Sequence, residues 1–465
     1  MLDKAELLLP AGSLIKLKTA ILYGADAVYA GTPDMCLRAQ SKFSLEELKE
    51  GIEYTHAHNK KIYLTLNLFM HNSDIEKLPT FVKTLQELRP DGVLIADPGV
   101  FQYVKQAAPE LNLFVSTQAN ICSWAAVKFW QSQGSKLCVL GREVTFEEAK
   151  EIRQKCPDIL LETFMHGAMC MSYSGRCLIS NYLADRSANQ GKCAHCCRWH
   201  YKLHLRLKDG TIKEIVIDEH NKDSFEFLLE EEFRPGEYFE VVEDEHGGYM
   251  LNSKDMCLLP RLDHLLSIGI DSLKVEGRNK TEYYAGVVAR AYRQAIDDWY
   301  KNPASWDWQK YMPELYTLQN RGYCLGFHDG SLSNLSQNYE YTRTLGDWFF
   351  AGSITKWEND DAVFEVRNFI NANEEFEFLI PNSLDVIKLK LSCFEDALTG
   401  ENSSKVSAGQ GKSFRIKPND WPLPIDKIKQ LLPQYTIARK KSFLSGSNHT
   451  MLDHKKNEFC QLCKD

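Results

Sequence analysis

One feature constrains the fold of this chain more than any other: short apolar runs alternate with helical patterns eight times. Near-continuous apolar runs of this length are typical of parallel strands that are buried on both faces. An open, doubly wound sheet accommodates six such units equally well, but eight units favour closure of the sheet. We therefore predict an α/β fold, a (β/α)8 barrel of the TIM type. The runs lie at residues 6–10, 26–31, 61–67, 92–97, 113–118, 136–141, 159–164 and 272–277.

The alternation is interrupted once, which indicates how the 465 residues are divided. The predicted barrel, residues 1–305, contains an insertion at about 165–266, between the seventh and eighth strands, whose middle predicts a small antiparallel β piece. Residues 306–345 are predicted to be a linker. Short apolar–polar alternations at 346–441 predict a small all-β barrel domain. The polar residues 442–465 predict a mobile tail.

The N-terminus has no basic segment followed by an apolar run, and no apolar stretch approaches the roughly 20 residues that span a bilayer. We therefore expect a cytoplasmic protein with no membrane partner. Because the cytosol keeps thiols reduced, the 14 cysteines are not expected to form a disulfide framework. Those without a cysteine nearby in sequence are predicted to be small buried hydrophobic residues. They are Cys36, Cys122, Cys138, Cys156 and Cys393.

The net charge of −8 is unevenly distributed along the chain. Residues 214–245 contain thirteen Asp and Glu against two Lys and Arg, whereas residues 186–208 contain six Lys and Arg, three His and no carboxylate. A basic patch can neutralise phosphates even in an acidic protein, and a solvated basic loop is the alternative. Within this basic segment, Arg198 and Trp199 offer planar groups on which an unstacked base can stack.

Polar residues follow the apolar runs, at the end of the predicted barrel where active sites are built. Asn and Asp are ordinary loop residues, but Arg, Glu and His are less expected there, so we predict a polar binding site. Glu276-Gly277-Arg278 is the strongest candidate, because a guanidinium suits a carboxylate or a phosphate. The predicted ring comprises Gly12, Gly31, Asn67, Asp97, Gln118, Arg142, Glu143, His166, Glu276 and Arg278.

Four cysteines of the insertion, Cys170, Cys177, Cys193 and Cys197, have the spacing C-x6-C-x15-C-x3-C. Zinc sites usually take their thiolates in pairs two to four residues apart, and only one such pair is present. Thiolates from well-separated loops suit a [4Fe–4S] cluster, so the spacing favours a cluster over zinc. Cys196 is adjacent to Cys197 and is an alternative fourth ligand.

Seven short segments of the sequence carry a resemblance to a known family. They lie at 8–12, 24–29, 166–177, 180–183, 193–199, 252–255 and 273–278. Together they resemble the collagenase-like peptidase family U32, strongly over roughly residues 5–300 and more loosely beyond. The resemblance implies a [4Fe–4S] cluster on the four spaced cysteines and oxygen insertion that does not require O2. This chain departs from the family pattern in having Cys196 and Cys257, and Cys257 is another possible fourth ligand. It also has a Cys460-x-x-Cys463 pair near its end. This pair is interpreted as incidental or as a weak metal site rather than as part of the cluster.

Members of that family with similar length and C-terminal domain are implicated in prephenate-dependent formation of 5-hydroxyuridine at the wobble position of tRNA. Others hydroxylate ribosomal RNA or ubiquinone precursors. The resemblance therefore implies a hydroxylase that acts on the tRNA anticodon loop, where bases are accessible without duplex opening. Prephenate carries two carboxylates, for which Arg142, Arg176 and Arg278 are reasonable partners.

The family name raises a peptidase as the main alternative. The sequence has no Gly-x-Ser-x-Gly elbow, no His-Glu-x-x-His helix and no Cys/His pair in a nucleophile–base context, so we favour the hydroxylase. A hydroxylase of ribosomal RNA and a non-catalytic iron–sulfur RNA-binding protein are further alternatives. The candidate catalytic residues are Glu276, Arg278, His166, Asp97 and Gln118, and the candidate substrate-binding residues are Asn67, Arg142, Glu143, Arg176, Arg198 and Trp199.

Overall fold

The computed structural model describes most of the chain outside the middle of the insertion. The described residues are 4–32, 43–170, 173–174, 179–184, 193–194, 196–198, 204–206, 212–214, 227–230, 238–244, 247–249, 253–330, 346–409, 411–441 and 459. Among them, no helix is both long enough and apolar enough to cross a bilayer.

Eight parallel strands form a closed barrel. They are β1 (Glu6–Ala11), β2 (Ala27–Gly31), β3 (Lys61–Leu66), β4 (Gly92–Ile95), β5 (Leu113–Val115), β6 (Leu137–Val139), β7 (Leu160–Ala168) and β8 (Ser272–Val275). Each strand pairs with the next, and β8 pairs with both β7 and β1, so that Ser272 lies opposite Glu162 on one side and Glu6 on the other. This closure confirms the predicted TIM-type barrel.

A helix follows each barrel strand, as the sequence predicts. Two of these helices begin with reciprocal capping bonds: Ser44 with Glu47, and Thr145 with Glu148. The α-helices are α1 (Leu14–Leu22), α2 (Leu45–Ala57), α3 (Asn72–Ile75), α4 (Leu78–Leu88), α5 (Pro98–Ala107), α6 (Trp124–Ser132), α7 (Phe146–Lys155), α8 (Ile179–Ala184), α9 (Leu262–Ile268), α10 (Glu282–Lys301), α11 (Met312–Leu315) and α12 (Ile425–Leu431). Short 3-10 helices lie at Thr117–Ala119, Cys196–Arg198, Leu259–Arg261, Pro303–Ser305, Trp308–Lys310 and Pro418–Asp420.

The insertion between β7 and β8 contains antiparallel strands, which confirms the predicted β piece. One pair joins His204–Arg206 to Ile212–Glu214, and a three-stranded sheet joins Phe227–Glu230, Tyr238–Asp244 and Gly247–Tyr249. The chain returns to the barrel earlier than the predicted boundary at residue 266. Asp255–Cys257 pairs antiparallel with the last residues of β7, and α9 already covers the barrel wall.

Much of the predicted linker packs against the barrel. Tyr311, Leu315 and Tyr323 are buried in the barrel core, and Tyr323–Cys324 forms a parallel pair with Asp255–Cys257. In the predicted mobile tail, Phe459 is also buried, with its ring 5.7 Å from that of Tyr323. Polar composition predicted a mobile tail, but burial of the aromatic Phe459 attaches this residue to the barrel core.

The C-terminal residues form a separate antiparallel sheet. Its strands are β9 (Trp348–Glu358), β10 (Asp361–Val366), β11 (Glu375–Leu379), β12 (Val386–Lys390), β13 (Phe394–Asp396), β14 (Asn402–Ser403), β15 (Ser413–Ile416) and β16 (Ile437–Lys441), with a short pair at Ile370–Asn371 and Lys405–Val406. Their order is β12-β11-β16-β9-β10-β15-β13-β14, and the sheet is curled around its own apolar core. The predicted all-β domain is therefore confirmed.

The C-terminal sheet is joined to the barrel by buried polar contacts. The Tyr23 hydroxyl on α1 donates to the carbonyl of Leu379 (2.7 Å) and accepts from the amide of Ile437 (3.0 Å). Glu314 accepts from Arg439 at 3.1 Å. Because buried polar groups are costly unless they are paired, these contacts fix how the two units meet.

The isolated cysteines differ in burial. Cys138 and Cys156 are buried, as predicted, and Cys122 is half-buried. The prediction for Cys393 is wrong: this cysteine is exposed, because it lies in the bend between β12 and β13 rather than on an inward-facing strand position. Cys36 lies outside the described residues.

Candidate active site at the mouth of the barrel

Arg142 and Glu276 meet at the carboxyl ends of β6 and β8. The Arg142 guanidinium stacks on the ring of Phe164, 3.8 Å from its centroid, and its Nη2 lies 3.6 Å from Oε2 of Glu276. The Arg142 side chain is only 11% exposed, and its Nε has no hydrogen-bond acceptor among the described residues. The mouth therefore holds a pre-oriented guanidinium, a group that suits an anionic partner.

Arg278 lies on the opposite side of the same mouth. Its Nη1 donates to the Thr65 hydroxyl at 3.2 Å, and its guanidinium lies 5.7 Å from the centroid of the Tyr29 ring. A Cβ on Gly12 would lie 2.0 Å from the carbonyl oxygen of Arg278. Only glycine permits this close approach, so Gly12 lets the loop after β8 close over the end of β1.

A buried ion pair lies beneath these arginines. Its two residues, Glu162 and Lys274, were not among the residues predicted for the ring. The Lys274 ammonium lies 2.6 Å from Oε1 of Glu162, 4.6 Å from the Tyr29 centroid and 5.5 Å from the Phe164 centroid. Three cations thus contact the rings of Tyr29 and Phe164: Arg142, Lys274 and Arg278. One signal in the sequence could have revealed the pair: Glu162 and Lys274 each lie inside an otherwise apolar run. Because charged residues are rarely buried unless they are paired, two such residues are candidates for a buried ion pair.

Two other members of the predicted ring, Asn67 and Asp97, have local structural partners. Asn67 is buried and donates to the Ser116 hydroxyl at 3.2 Å, which links the ends of β3 and β5. Asp97 caps α5 by accepting the amide hydrogen of Val100 at 2.9 Å. Gln118 lies half-buried in the 3-10 turn after β5, and Gly31 ends β2.

His166 is not grouped with Arg142, Glu276 and Arg278. It is buried beside α10, with its Nδ1 3.3 Å from the Tyr292 hydroxyl and its ring near those of Tyr284 and Tyr323. Burial lowers the pKa of His166 to about 3. The pairing of β7 with β8 is irregular beside His166, between Lys274 and Val275, so simple alternation along the strand does not give its direction.

Glu143 connects the mouth to the cysteine-bearing insertion. It accepts the backbone N–H of Ser174 at 2.7 Å and the hydroxyl of Ser174 at 3.4 Å. Glu143 follows β6, and Ser174 follows β7, so the contact fixes the first part of the insertion over one side of the mouth. Burial, with a smaller contribution from Glu143, raises the pKa of the nearby Cys122 thiol.

Comparison with known proteins places these features in a family. The model of peptidase family U32 matches residues 12–338. The chain belongs to peptidase family U32. It is 40% identical to tRNA hydroxylation protein P of Escherichia coli (strain K12), over 91% of this chain and 94% of that protein. It is 34% identical to tRNA hydroxylation protein P1 of Bacillus subtilis (strain 168), over 81% and 84%. A 23S rRNA 5-hydroxycytidine synthase of E. coli is 31% identical over 94% of this chain and 59% of that protein.

The cysteines that follow β7 in this U32 chain differ in burial. Cys170 and Cys193 are exposed, Cys197 is half-buried and Cys196 is buried. The amide of Ala194 donates to the Ser180 hydroxyl at 2.9 Å, which holds this segment on α8. Cys177, Arg176 and Trp199 lie outside the described residues, as does the side chain of Arg198.

Cys257 belongs to the packing of the barrel wall. It is fully buried, with its Sγ 3.6 Å from the Tyr292 hydroxyl, and burial raises its pKa to about 12. Cys257 is therefore poorly suited to ligate a metal, since ligation requires the thiolate. Among the described residues alone, no three His, Cys, Asp or Glu side chains are grouped as a metal site.

The peptidase hypothesis gains no support from two buried histidines. His166 is packed among tyrosines, and His328 is buried against Phe146. Burial lowers the pKa of His328 to about 4. Neither imidazole is exposed at the mouth, where a general base would have to reach a nucleophile and a substrate.

Proposed function

We propose that this chain is an RNA-modifying enzyme that hydroxylates the wobble uridine of tRNA to 5-hydroxyuridine. The observation that carries the proposal is the similarity, over nearly the whole chain, to proteins named for tRNA hydroxylation. The ribosomal RNA relative supports the broader class, hydroxylation of an RNA pyrimidine. An anticodon loop suits such an enzyme, because its bases can be splayed out without duplex opening.

We infer that Cys170, Cys177, Cys193 and Cys197 hold a [4Fe–4S] cluster. When bound, such a cluster supplies a redox centre. Three of these cysteines are described, and none of the three is in the apolar core, whereas Cys257 is. The contact between Glu143 and Ser174 would hold the start of this segment beside the mouth.

We infer that the mouth binds the anionic co-substrate, a small dicarboxylate such as prephenate. Arg142 and Arg278 lie on separate aromatic rings, so two carboxylates can each meet a guanidinium. Glu276 orients Arg142 and is the carboxylate best placed to hold a proton close to the reacting groups. Arg198, Trp199 and Arg176 are proposed to contact the RNA, and His166, Asp97 and Gln118 to support the surrounding loops.

Nucleoside mass spectrometry of total tRNA tests the proposal directly. A strain that lacks this protein should lose 5-hydroxyuridine and its derivatives, and a plasmid copy should restore them, also under anaerobic growth. A strain that cannot make prephenate should lose the same nucleosides although the protein is present. If the deletion strain has unchanged tRNA nucleosides but altered ribosomal RNA nucleosides, the enzyme hydroxylates ribosomal RNA rather than tRNA. Unchanged nucleosides in both RNAs would contradict an RNA hydroxylase.

A further inference from the structure

A continuous series of polar side chains runs through the interior of the barrel. Lys61 Nζ lies 3.0 Å from Oε2 of Glu6, and the Ser272 hydroxyl lies 3.4 Å from Oε1 of the same carboxylate. The Ser272 hydroxyl also lies 3.0 Å from Oε2 of Glu162, whose Oε1 is 2.6 Å from Lys274 Nζ. Five side chains from β1, β3, β7 and β8 are thus connected end to end.

This series leads from the face opposite the mouth to the aromatic rings beneath the two arginines. Lys61, Glu6 and Ser272 are the first residues of their strands and mark the face opposite the mouth. The Lys61 side chain is 47% exposed there, whereas Glu6, Ser272, Glu162 and Lys274 are all buried. At the other end, Lys274 lies against the rings that carry the two arginines of the mouth.

Stability alone does not account for these residues. The interior of an α/β barrel is ordinarily filled by layers of branched aliphatic side chains. Buried ion pairs are often no more stabilising than apolar residues of similar volume, because both charges must be removed from water. A buried chain that is charged and connected from end to end therefore points to a function.

We propose that this series is a proton relay that connects the active-site mouth to solvent at the opposite face of the barrel. Its use rests on the proposed function, because bound RNA would cover the mouth while hydroxylation changes the protonation of the reacting groups. The Lys274 ammonium passes a proton to Glu162 and regains one from the reacting groups at the mouth. Glu162 passes it to the Ser272 oxygen as Ser272 releases its own hydrogen to Glu6, and Glu6 releases a proton to solvent beside Lys61. No electrons move, and rotation of the Ser272 hydroxyl resets the chain.

Ser272 is the necessary link, since its single hydroxyl hydrogen faces two carboxylates and can bond to only one at a time. Glu6 is surrounded by Lys61, Tyr63 and Ser272, with Glu162 beyond, and the Tyr63 hydroxyl donates to it at 2.8 Å. Burial raises the pKa of Glu6 despite the lowering by Lys61 and Tyr63. A carboxyl group that takes up a proton readily suits the exit end of a relay.

Ser272→Ala removes the link and leaves both charged ends in place, and Ser272→Thr restores a hydroxyl. We expect Ser272→Ala to slow tRNA hydroxylation by the holoenzyme at least about tenfold, with a changed solvent deuterium isotope effect. Ser272→Thr should recover most of the rate. Lys61→Gln, at the exposed end, should slow the reaction without affecting folding. Wild-type rates and isotope effects in Ser272→Ala would overturn the relay.

Infrared spectroscopy separates this inference from the proposed function. In the full-length protein, the carboxyl band of Glu6 is assigned by its loss in Glu6→Gln. That band should shift in Ser272→Ala and return towards its wild-type position in Ser272→Thr, because the hydroxyl couples Glu6 to Glu162. An unchanged band in Ser272→Ala would overturn the relay even if tRNA is hydroxylated. A shifted band in a protein that leaves tRNA unmodified would refute the proposed function alone.

Discussion

The carboxylate of Glu143 accepts two hydrogen bonds from Ser174, one from its backbone amide and one from its hydroxyl. Glu143 belongs to the loop after β6, and Ser174 lies four residues beyond Cys170. The contact is therefore a direct connection between the polar mouth and the segment that carries the cysteines. A charge-assisted hydrogen bond of this kind contributes about 1.5–3 kcal/mol.

Loss of this contact should weaken retention of the proposed cluster. We expect Glu143→Ala to hold clearly less iron per chain than the wild type after anaerobic purification, while Glu143→Gln, which keeps an acceptor oxygen, retains more. Glu147→Ala, an exposed glutamate in the first turn of α7, is the matched control. Equal iron in Glu143→Ala and Glu147→Ala would show that the contact does not support the cluster.

The fourth ligand can be identified by single alanine variants. Cys197→Ala should lose iron and colour, as should alanine at the other three proposed ligands, whereas Cys196→Ala and Cys257→Ala should retain them. Cys257→Ala should instead lower the free energy of unfolding by about 1 kcal/mol, because its thiol is packed against Tyr292. Iron analysis and denaturant unfolding measure the two effects. Loss of iron in Cys257→Ala with Cys197→Ala unaffected would reverse the assignment.

The basic segment and the mouth should affect different steps. Neutralising Lys192, Lys202 and Arg206 together should weaken tRNA binding and flatten its salt dependence, because phosphate contacts release counterions. Iron content should stay unchanged. A triple variant of three exposed lysines elsewhere on the barrel is the control: Lys49, Lys83 and Lys150. Equal salt slopes in the two triple variants would exclude the basic segment as the RNA contact.

In the mouth itself, Glu276→Ala or Arg278→Ala should abolish hydroxylation with little loss of tRNA affinity. These side chains lie where the co-substrate is proposed to bind, rather than on the insertion that is proposed to contact RNA. Binding titrations paired with nucleoside analysis distinguish the two kinds of effect. Wild-type modification in Arg278→Ala would mean that the arginine is structural.

Burial of His166 makes stability depend on pH. Its folded pKa of about 3 lies below the ordinary value of 6.5, so above pH 6.5 the imidazole is neutral in both states. As the pH falls below 6.5, the unfolded chain takes up a proton that the folded chain does not, and the free energy of unfolding decreases. The loss from this histidine is about 2 kcal/mol at pH 5.

His166→Phe should remove that part of the pH dependence. Unfolding midpoints in urea, measured at pH 7 and pH 5, should then differ less than in the wild type. His264→Gln alters an exposed imidazole and is the control. The same pH dependence in His166→Phe and the wild type would contradict a buried neutral histidine, and loss of hydroxylation in a folded His166→Phe would return this residue to the catalytic group.

Phe459 should act as the attachment point of the tail. Removal of a buried phenylalanine side chain costs about 3 kcal/mol, so Phe459→Ala should lower the free energy of unfolding or release the tail from Tyr323. Phe129→Ala is the control, because Phe129 is 53% exposed on α6. Urea unfolding reports the change in the free energy of unfolding. Tyrosine fluorescence, compared between variants with and without Tyr323, reports release of the tail. Identical behaviour of both alanine variants would exclude a structural role for the tail.

The sequence by itself determined what depends on near neighbours along the chain. Apolar runs of five to seven residues, each followed by a helical pattern, predicted the barrel strands because burial on both faces leaves little choice of residue. The start of α2 likewise depends only on neighbours, Ser44 and Glu47, since capping is completed within one turn. The position of Arg142 and Arg278 at the mouth also followed, because all eight parallel strands present their carboxyl ends at one face.

The tertiary structure decided which side chains meet across the barrel. Glu162 and Lys274 are 112 residues apart, and their contact depends on closure of the barrel and on the register of β7 against β8. The direction of His166 depends on an irregularity in that register, which alternation along one strand cannot reveal. Burial of Phe459 likewise depends on a surface assembled from distant segments. Each of these contacts is a non-local pairing, whose free energy comes from neighbours that the local sequence does not specify.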